Sequence, residues 1–167
     1  MKILGIDPGY ERLGIAIVEK NIGDRKERVV FSECFKTPAK MEFSERLALL
    51  GVEVKRIITK YSPDSVAIET LFFETNQKTA MRVAEARGVI VYEVACAKIP
   101  IFEATPLQIK MATTGYGKAD KAQIIKMVKM LVTLPAGKTR HGGQASDDEL
   151  DAIAIALTGF AYMKSNK

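Results

Sequence analysis

At 167 residues and 47% apolar composition, the chain is long enough to bury a core without disulfides or a structural metal, and it reads as one domain, 1–167. Lys plus Arg outnumber Asp plus Glu by 25 to 20; the net charge of +5 suits a polyanionic partner but does not require one. Cys34 and Cys96 have no CxxC or Cys/His spacing, which excludes a disulfide framework and a zinc site and reads both as small buried hydrophobes in a reducing cytoplasm. Asp7 comes too early for a signal peptide, and Glu93 interrupts the apolar run 88–97, so neither secretion nor a membrane span is expected.

Residues 2–7 are a short apolar run closed by Pro8-Gly9, and 13–19 a second run rich in Ile and Val, together a hairpin. The polar stretch 20–27 turns the chain into a third strand over 28–35, completing an antiparallel meander. Leu47, Leu50, Val54, Ile57, Ile58 and Tyr61 recur at three- and four-residue spacing, which predicts an amphipathic helix over 43–61 that Ser62-Pro63-Asp64 stops. A strand over 65–70, a helix over 77–97 and a short strand over 101–104 follow. Two more helices, 106–112 and 119–134, flank the loop Thr114-Gly115-Tyr116-Gly117. Ser146 and Glu149 form a capping box, so the last helix starts near Ser146 and continues through the apolar run 152–157. The order βββ, α, β, α, β and then helices predicts an α/β fold, a mixed five-stranded sheet flanked by helices.

Two of these strands end in an acid. Asp7 ends the first and Glu69 ends Val66-Ala67-Ile68-Glu69; a charge there is costly unless it is solvated, paired or bound to a cation. Asp7 has a second reading as the cap of the Pro8-Gly9 turn. Asp148 and Asp151 lie three residues apart in the first turns of the last helix, so they share a face and can converge on one ion. The helix dipole alone accounts for Asp147 and Asp148, whereas Asp151 lies a turn deeper beside the apolar run. Four carboxylates, no Cys cluster and one His point to Mg²⁺ or Mn²⁺ rather than zinc, and to phosphodiester chemistry.

The blocks Leu4-Gly5-Ile6-Asp7-Pro8-Gly9, Ala67-Ile68-Glu69, Leu71-Phe72-Phe73, Glu85-Ala86-Arg87-Gly88, the segment Thr114 to Gln123, and Asp151-Ala152-Ile153-Ala154-Ile155-Ala156 together resemble the RuvC Holliday junction resolvases, of the ribonuclease H-like (retroviral integrase-like) fold. The resemblance runs nearly end to end. It implies catalytic, metal-binding acids at Asp7, Glu69, Asp148 and Asp151, holding two Mg²⁺ ions for which Mn²⁺ substitutes. Asp147 and His141 remain competitors for the place of Asp148, and His141 also reads as an exposed loop residue. Lys110 and Lys121 align with basic residues near the scissile phosphate, Lys121 among the catalytic set, and Lys118 lies in the same block. Taken without the family, Lys110 and Lys121 read as solvated surface lysines. Phe72 and Phe73 are expected to meet DNA, Phe72 stacking on bases at the junction and its neighbour anchoring the loop. The chain departs from the family at Thr75, where a basic residue is common, and in the segment 136–145, which is longer than usual and carries Lys138 and Arg140.

The implied activity is paired, symmetric nicking of four-way junction DNA in recombination and repair, leaving a 5′-phosphate and a 3′-hydroxyl. An approximately two-fold substrate implies a homodimer, for which the helix 77–97, with Ala80, Val83, Ala84, Val91 and Val94, is the candidate face, core packing being the other reading. A branch-migration helicase complex is a further implied partner. Two rival functions remain: another ribonuclease H-like nuclease acting on structured RNA, and a junction-binding module without catalysis. An actin-like ATPase or sugar kinase would need a second lobe for which the chain has no room.

Overall fold

The computed structural model describes residues 1–71, 77–133 and 145–163. The chain opens with β1 (Lys2–Asp7), β2 (Arg12–Glu19) and β3 (Glu27–Lys36), and these form the expected antiparallel meander. There follow α1 (Phe43–Tyr61), β4 (Ser65–Glu69), α2 (Gln77–Cys96), β5 (Ile101–Ala104), α3 (Pro106–Thr114), α4 (Lys121–Leu131), β6 (Val132–Thr133) and α5 (Asp147–Met163). Strands β4 and β5 add in parallel beside β1, giving the mixed order β5-β4-β1-β2-β3-β6.

Among the described residues the sheet has six strands rather than five. The helix expected to reach residue 134 ends at Leu131, and Val132–Thr133 pairs in parallel with Glu27 and Arg28. Two consecutive β-branched residues lose rotamer freedom in a helix and fit a sheet edge, and the exposed edge of β3 offers the pairing. Helix α4 also starts later than expected, at Lys121, because Asp120 and Gln123 form a capping box at its N-terminus. Helix α3 runs on to Thr114, where Gly115, at φ 70°, ends it in the left-handed conformation that glycine adopts without strain.

Side chains alternate across a strand, so each strand divides its residues between the two faces of the sheet. Leu4, Ile6, Leu13, Ile15, Ile17, Val66 and Ile68 face α1 and α2 and pack with Leu50, Val54, Ile57, Ala86, Ile90 and Val94. Ile3, Ala16, Val18 and Ala67 face the other way, against Leu150 to Leu157 of α5, with α3 and α4 outside it. Helix α5 is therefore covered on both sides and is buried almost all round from Ala152 to Phe160. It rides close to the sheet because two strand residues have no side chain: a Cβ at Gly5 would collide with the Ala152 carbonyl, and one at Gly14 with that of Asp148. These two glycines bring the start of α5 down onto the end of β1.

One expectation is corrected here. Cys96 is exposed at the end of α2, whereas Cys34 is buried as expected. Of the residues of the candidate dimer face, Val94 is buried in the α1–α2 core and Val91 packs partly against the same cluster, which is the core-packing reading for these two. Among the described residues no helix is long and apolar enough to cross a membrane.

Candidate active site

Strand parity decides where the acids go. Asp7 lies two residues beyond Gly5 and Glu69 two beyond Ala67, and Gly5 pairs with Ala67, so both carboxylates leave the α5 face at neighbouring C-terminal strand ends. Asp151 descends from α5 onto the same point. Asp7, Glu69 and Asp151 line a cavity of about 320 Å³, together with Lys110 of α3, Lys121 of α4 and an apolar floor that includes Ile109, Ile124 and Ile155. The opposite parity puts Glu103 on the far face, where it pairs with Arg87.

The two lysines arrive from successive helices, Lys110 from the middle of α3 and Lys121 from the start of α4. Lys121 is the first residue of α4, held by the Asp120 cap, and its Nζ stands 3.1 Å from Asp151 Oδ2 and 3.4 Å from Asp147 Oδ2. Burial works against its charge, but the two aspartates outweigh this and raise its pKa. Lys118 is exposed in the α3–α4 loop and does not line the cavity.

The acids repel one another, and burial weakens their solvation. Burial, then Asp151 and Asp148, push the Asp7 carboxyl up to about 6, with Lys121 opposing. Glu69 is pushed up to about 7 by burial and then by Asp7 and Asp151. Burial raises Asp151 as well, in spite of its bond to Lys121. Asp148 behaves oppositely: burial would raise its pKa, but hydrogen bonds from Arg12 and Cys34 and the charge of Arg12 hold it below the usual carboxylate range. Its Oδ2 accepts from Arg12 Nε at 2.9 Å, from Arg12 Nη2, and from Cys34 Sγ at 3.3 Å.

Asp148 thus lies outside the cavity lining, drawn to β2 and β3, while Asp147 is exposed and touches Lys121. Among the described residues no three acidic, Cys or His side chains stand in a geometry that would hold one ion as they are. The donor chemistry nevertheless fits a hard divalent cation. Two half-buried carboxylates with raised pKa, and with no ion-pair partner among the described residues, are what such a cation would neutralise.

Phe72, Phe73, Thr75, His141 and residues 136–144 of the longer segment lie outside the described residues. Arg12 and Cys34 were not anticipated from the sequence. Arg12 is two residues before Gly14 on β2, and Cys34 pairs with Gly14, so both share the face that carries α5. That parity was readable from the strand pattern, but the approach of α5 was not. Likewise, the capping box expected at Ser146 is present, and its Glu149 also accepts from Ser32 Oγ at 2.6 Å across the sheet.

The sequence profile of the crossover junction endodeoxyribonuclease RuvC family matches residues 3–159. The chain belongs to the RuvC family. It is 42% identical to the RuvC crossover junction endodeoxyribonuclease of Halothermothrix orenii over 168 aligned residues, covering 100% of this chain and 97% of that one. To the Alkaliphilus oremlandii enzyme it is 46% identical over 157 residues, covering 94% and 91%. The RuvC of T. thermophilus, solved in complex with a Holliday junction substrate, superposes with a TM-score of 0.85 at 30% identity, over 99% of this chain and 97% of that one. The fold is accordingly the ribonuclease H-like one, and the chain is a hydrolase of the Holliday junction-resolving class that serves recombination and repair.

Proposed function

We propose that the whole chain acts as one nuclease domain, a homodimer in the cytoplasm, that nicks four-way junction DNA symmetrically with Mg²⁺ held by Asp7, Glu69, Asp151 and Asp148. The observation that carries this is the convergence of Asp7, Glu69 and Asp151, from two strands and a helix, on one cavity that also holds Lys110 and Lys121. Two divalent ions held by these carboxylates would supply an activated water and charge stabilisation of the leaving oxygen, with Mn²⁺ able to take the place of Mg²⁺.

The chain's own residues perform the rest. Asp7 and Glu69 must be ionised to hold a cation, so loading is favoured above their raised pKa values of about 6 and about 7. Lys110 and Lys121, at the same opening, bind the phosphate and offset the negative charge that grows in the transition state. Lys118, exposed beside them, adds attraction for the strand, and Phe72 and Phe73 meet the junction bases. The apolar residues of the cavity keep competing water from the reacting phosphate.

For the dimer we propose the outer stripe of α2, where Met81 and Tyr92 are 66% and 65% exposed with Gly88 between them. Two sites related by that dyad would cut two strands of like polarity, and a branch-migration helicase would deliver the junction.

The test is a comparison of substrates with Mg²⁺ present: a synthetic four-way junction, a linear duplex and a structured RNA, each with the wild type and Asp7→Asn. Symmetric junction nicking that the substitution abolishes is the expected result. Preferential RNA cutting would overturn the reading in favour of another ribonuclease H-like nuclease, and junction binding without nicking would favour a non-catalytic module.

A further inference from the structure

Asp148 is the acid that the cavity does not contain. Its Oδ2 is met by three donors from two strands: Nε and Nη2 of Arg12 on β2 and Sγ of Cys34 on β3. Both donor residues are placed by the sheet. Arg12 and Gly14 share a face of β2, Cys34 lies opposite Gly14, and the bare Gly14 lets the backbone of Asp148 settle between them. Asp151, one turn further along α5, does line the cavity and pairs with Lys121. The Arg12 side chain is 51% exposed, so its pair with Asp148 is open to exchange with water and ions.

We propose that Arg12 is a positioning residue: it holds the Asp148 carboxylate on the β2–β3 side of the site in the cation-free protein and so competes with the divalent cation for that ligand. The proposal rests on the reading of the acids as a cation site. Arginine cannot relieve the competition by losing a proton near neutral pH, and its fork geometry suits a carboxylate, so the pair persists across neutral pH and yields to a stronger claimant. A divalent cation held by Asp7 and Asp151 would be such a claimant, and Asp148 is near enough to Asp7 for the two charges to repel. Arg12 then sets the cation concentration at which the full ligand set assembles, without touching the reacting atoms.

The test is a Mn²⁺ titration of the full chain without DNA, followed by calorimetry or by the Mn²⁺ paramagnetic signal. Arg12→Gln is expected to tighten the weaker Mn²⁺ site by about two- to five-fold, the range for a partly exposed ion pair. In the Asp148→Asn background the same substitution is expected to change nothing, and this double-mutant cycle separates release of Asp148 from simple removal of a positive charge. Arg12→Lys, which keeps the charge and loses the fork, should fall between, and it serves if Arg12→Gln does not fold. In nicking assays the Mn²⁺ concentration for half-maximal rate should fall while the rate at saturating Mn²⁺ stays the same. Unchanged or weaker Mn²⁺ binding in Arg12→Gln, or an equal gain with Asp148→Asn, overturns the role of Arg12 alone. A wild type that takes up no Mn²⁺ overturns the cation site together with it.

Discussion

Both faces of this sheet carry acids, but they treat them differently. On the α1–α2 face Glu33 and Glu53 meet Arg56, and Glu103 meets Arg87, so the charges there are neutralised by arginines of the covering helices. On the α5 face Asp7 and Glu69 have no such arginine among the described residues and lie with Asp151 instead, with their pKa values driven up. A paired acid stabilises a packing arrangement, whereas a cluster of like charges in a half-buried cavity costs stability and persists where a ligand repays it. The packing differs in the same sense. Large aliphatic side chains such as Leu4, Ile57 and Ile68 fill the α1–α2 side, while glycine and alanine bring α5 close on the other.

The largest effect should come from the acids themselves. Asp7→Asn should lower the nicking rate at saturating Mg²⁺ by about 10²-fold or more, and Glu103→Gln on the opposite face should leave it within about two-fold. Equal losses in a junction-nicking assay would break the distinction between the faces.

Next comes packing. Ile57→Ala removes a fully buried side chain from the α1–α2 core and should cost about 2–5 kcal/mol in a denaturant titration, with the folded fraction still active. Gly14→Ala puts a methyl group into the Asp148 carbonyl and should cost about 1–3 kcal/mol, yet it should slow nicking more than Ile57→Ala does because it lifts the start of α5 from Asp7.

A smaller effect sharpens the electrostatic side. Carboxyls whose folded pKa lies above the unfolded value bind protons more tightly when folded, so their stabilising share is present in acid and is lost as pH rises through about 6 for Asp7 and about 7 for Glu69. Metal-free protein should therefore lose melting temperature from these groups between about pH 4 and pH 7. Asp7→Asn should raise the metal-free melting temperature at pH 8 by a few degrees, about 2–4 °C for each kcal/mol of repulsion removed. A fall instead would mean that Asp7 acts as a turn cap rather than as one of a cluster of like charges. Adding Mg²⁺ should stabilise the wild type more at pH 8 than at pH 5, since protons compete with the cation for the same oxygens.

Much of the fold was legible because its signals are local. The period-two runs, the 43–61 apolar spacing and the Ser146–Glu149 capping box each act within a few residues, and the elements they predict are present with bounds shifted by a residue or two. The helix expected over 119–134 was misjudged at both ends. At the start the Asp120 cap overrode the apolar pattern, and at the far end a partner strand in β3 was needed to make Val132–Thr133 extended. At the site, the strand-end positions of Asp7 and Glu69 were readable from the sequence, and strand parity puts them on one face.

What the sequence by itself determined is the set of residues and their order: acids at two strand ends and at a helix start, lysines around a Gly-Tyr-Gly loop, and motif blocks that placed the chain in its family. What only the tertiary structure decided is which partners each acid has. Asp148 and Asp151 are separated by three residues and share a helix, yet one is held by Arg12, 136 residues away in the chain, and the other by Lys121 at the rim of the cavity. The reason is physical: a helix phase fixes the direction of a side chain relative to its neighbours, but the charge it meets there depends on how closely two distant elements approach, and Gly5 and Gly14 set that approach only once the sheet has formed.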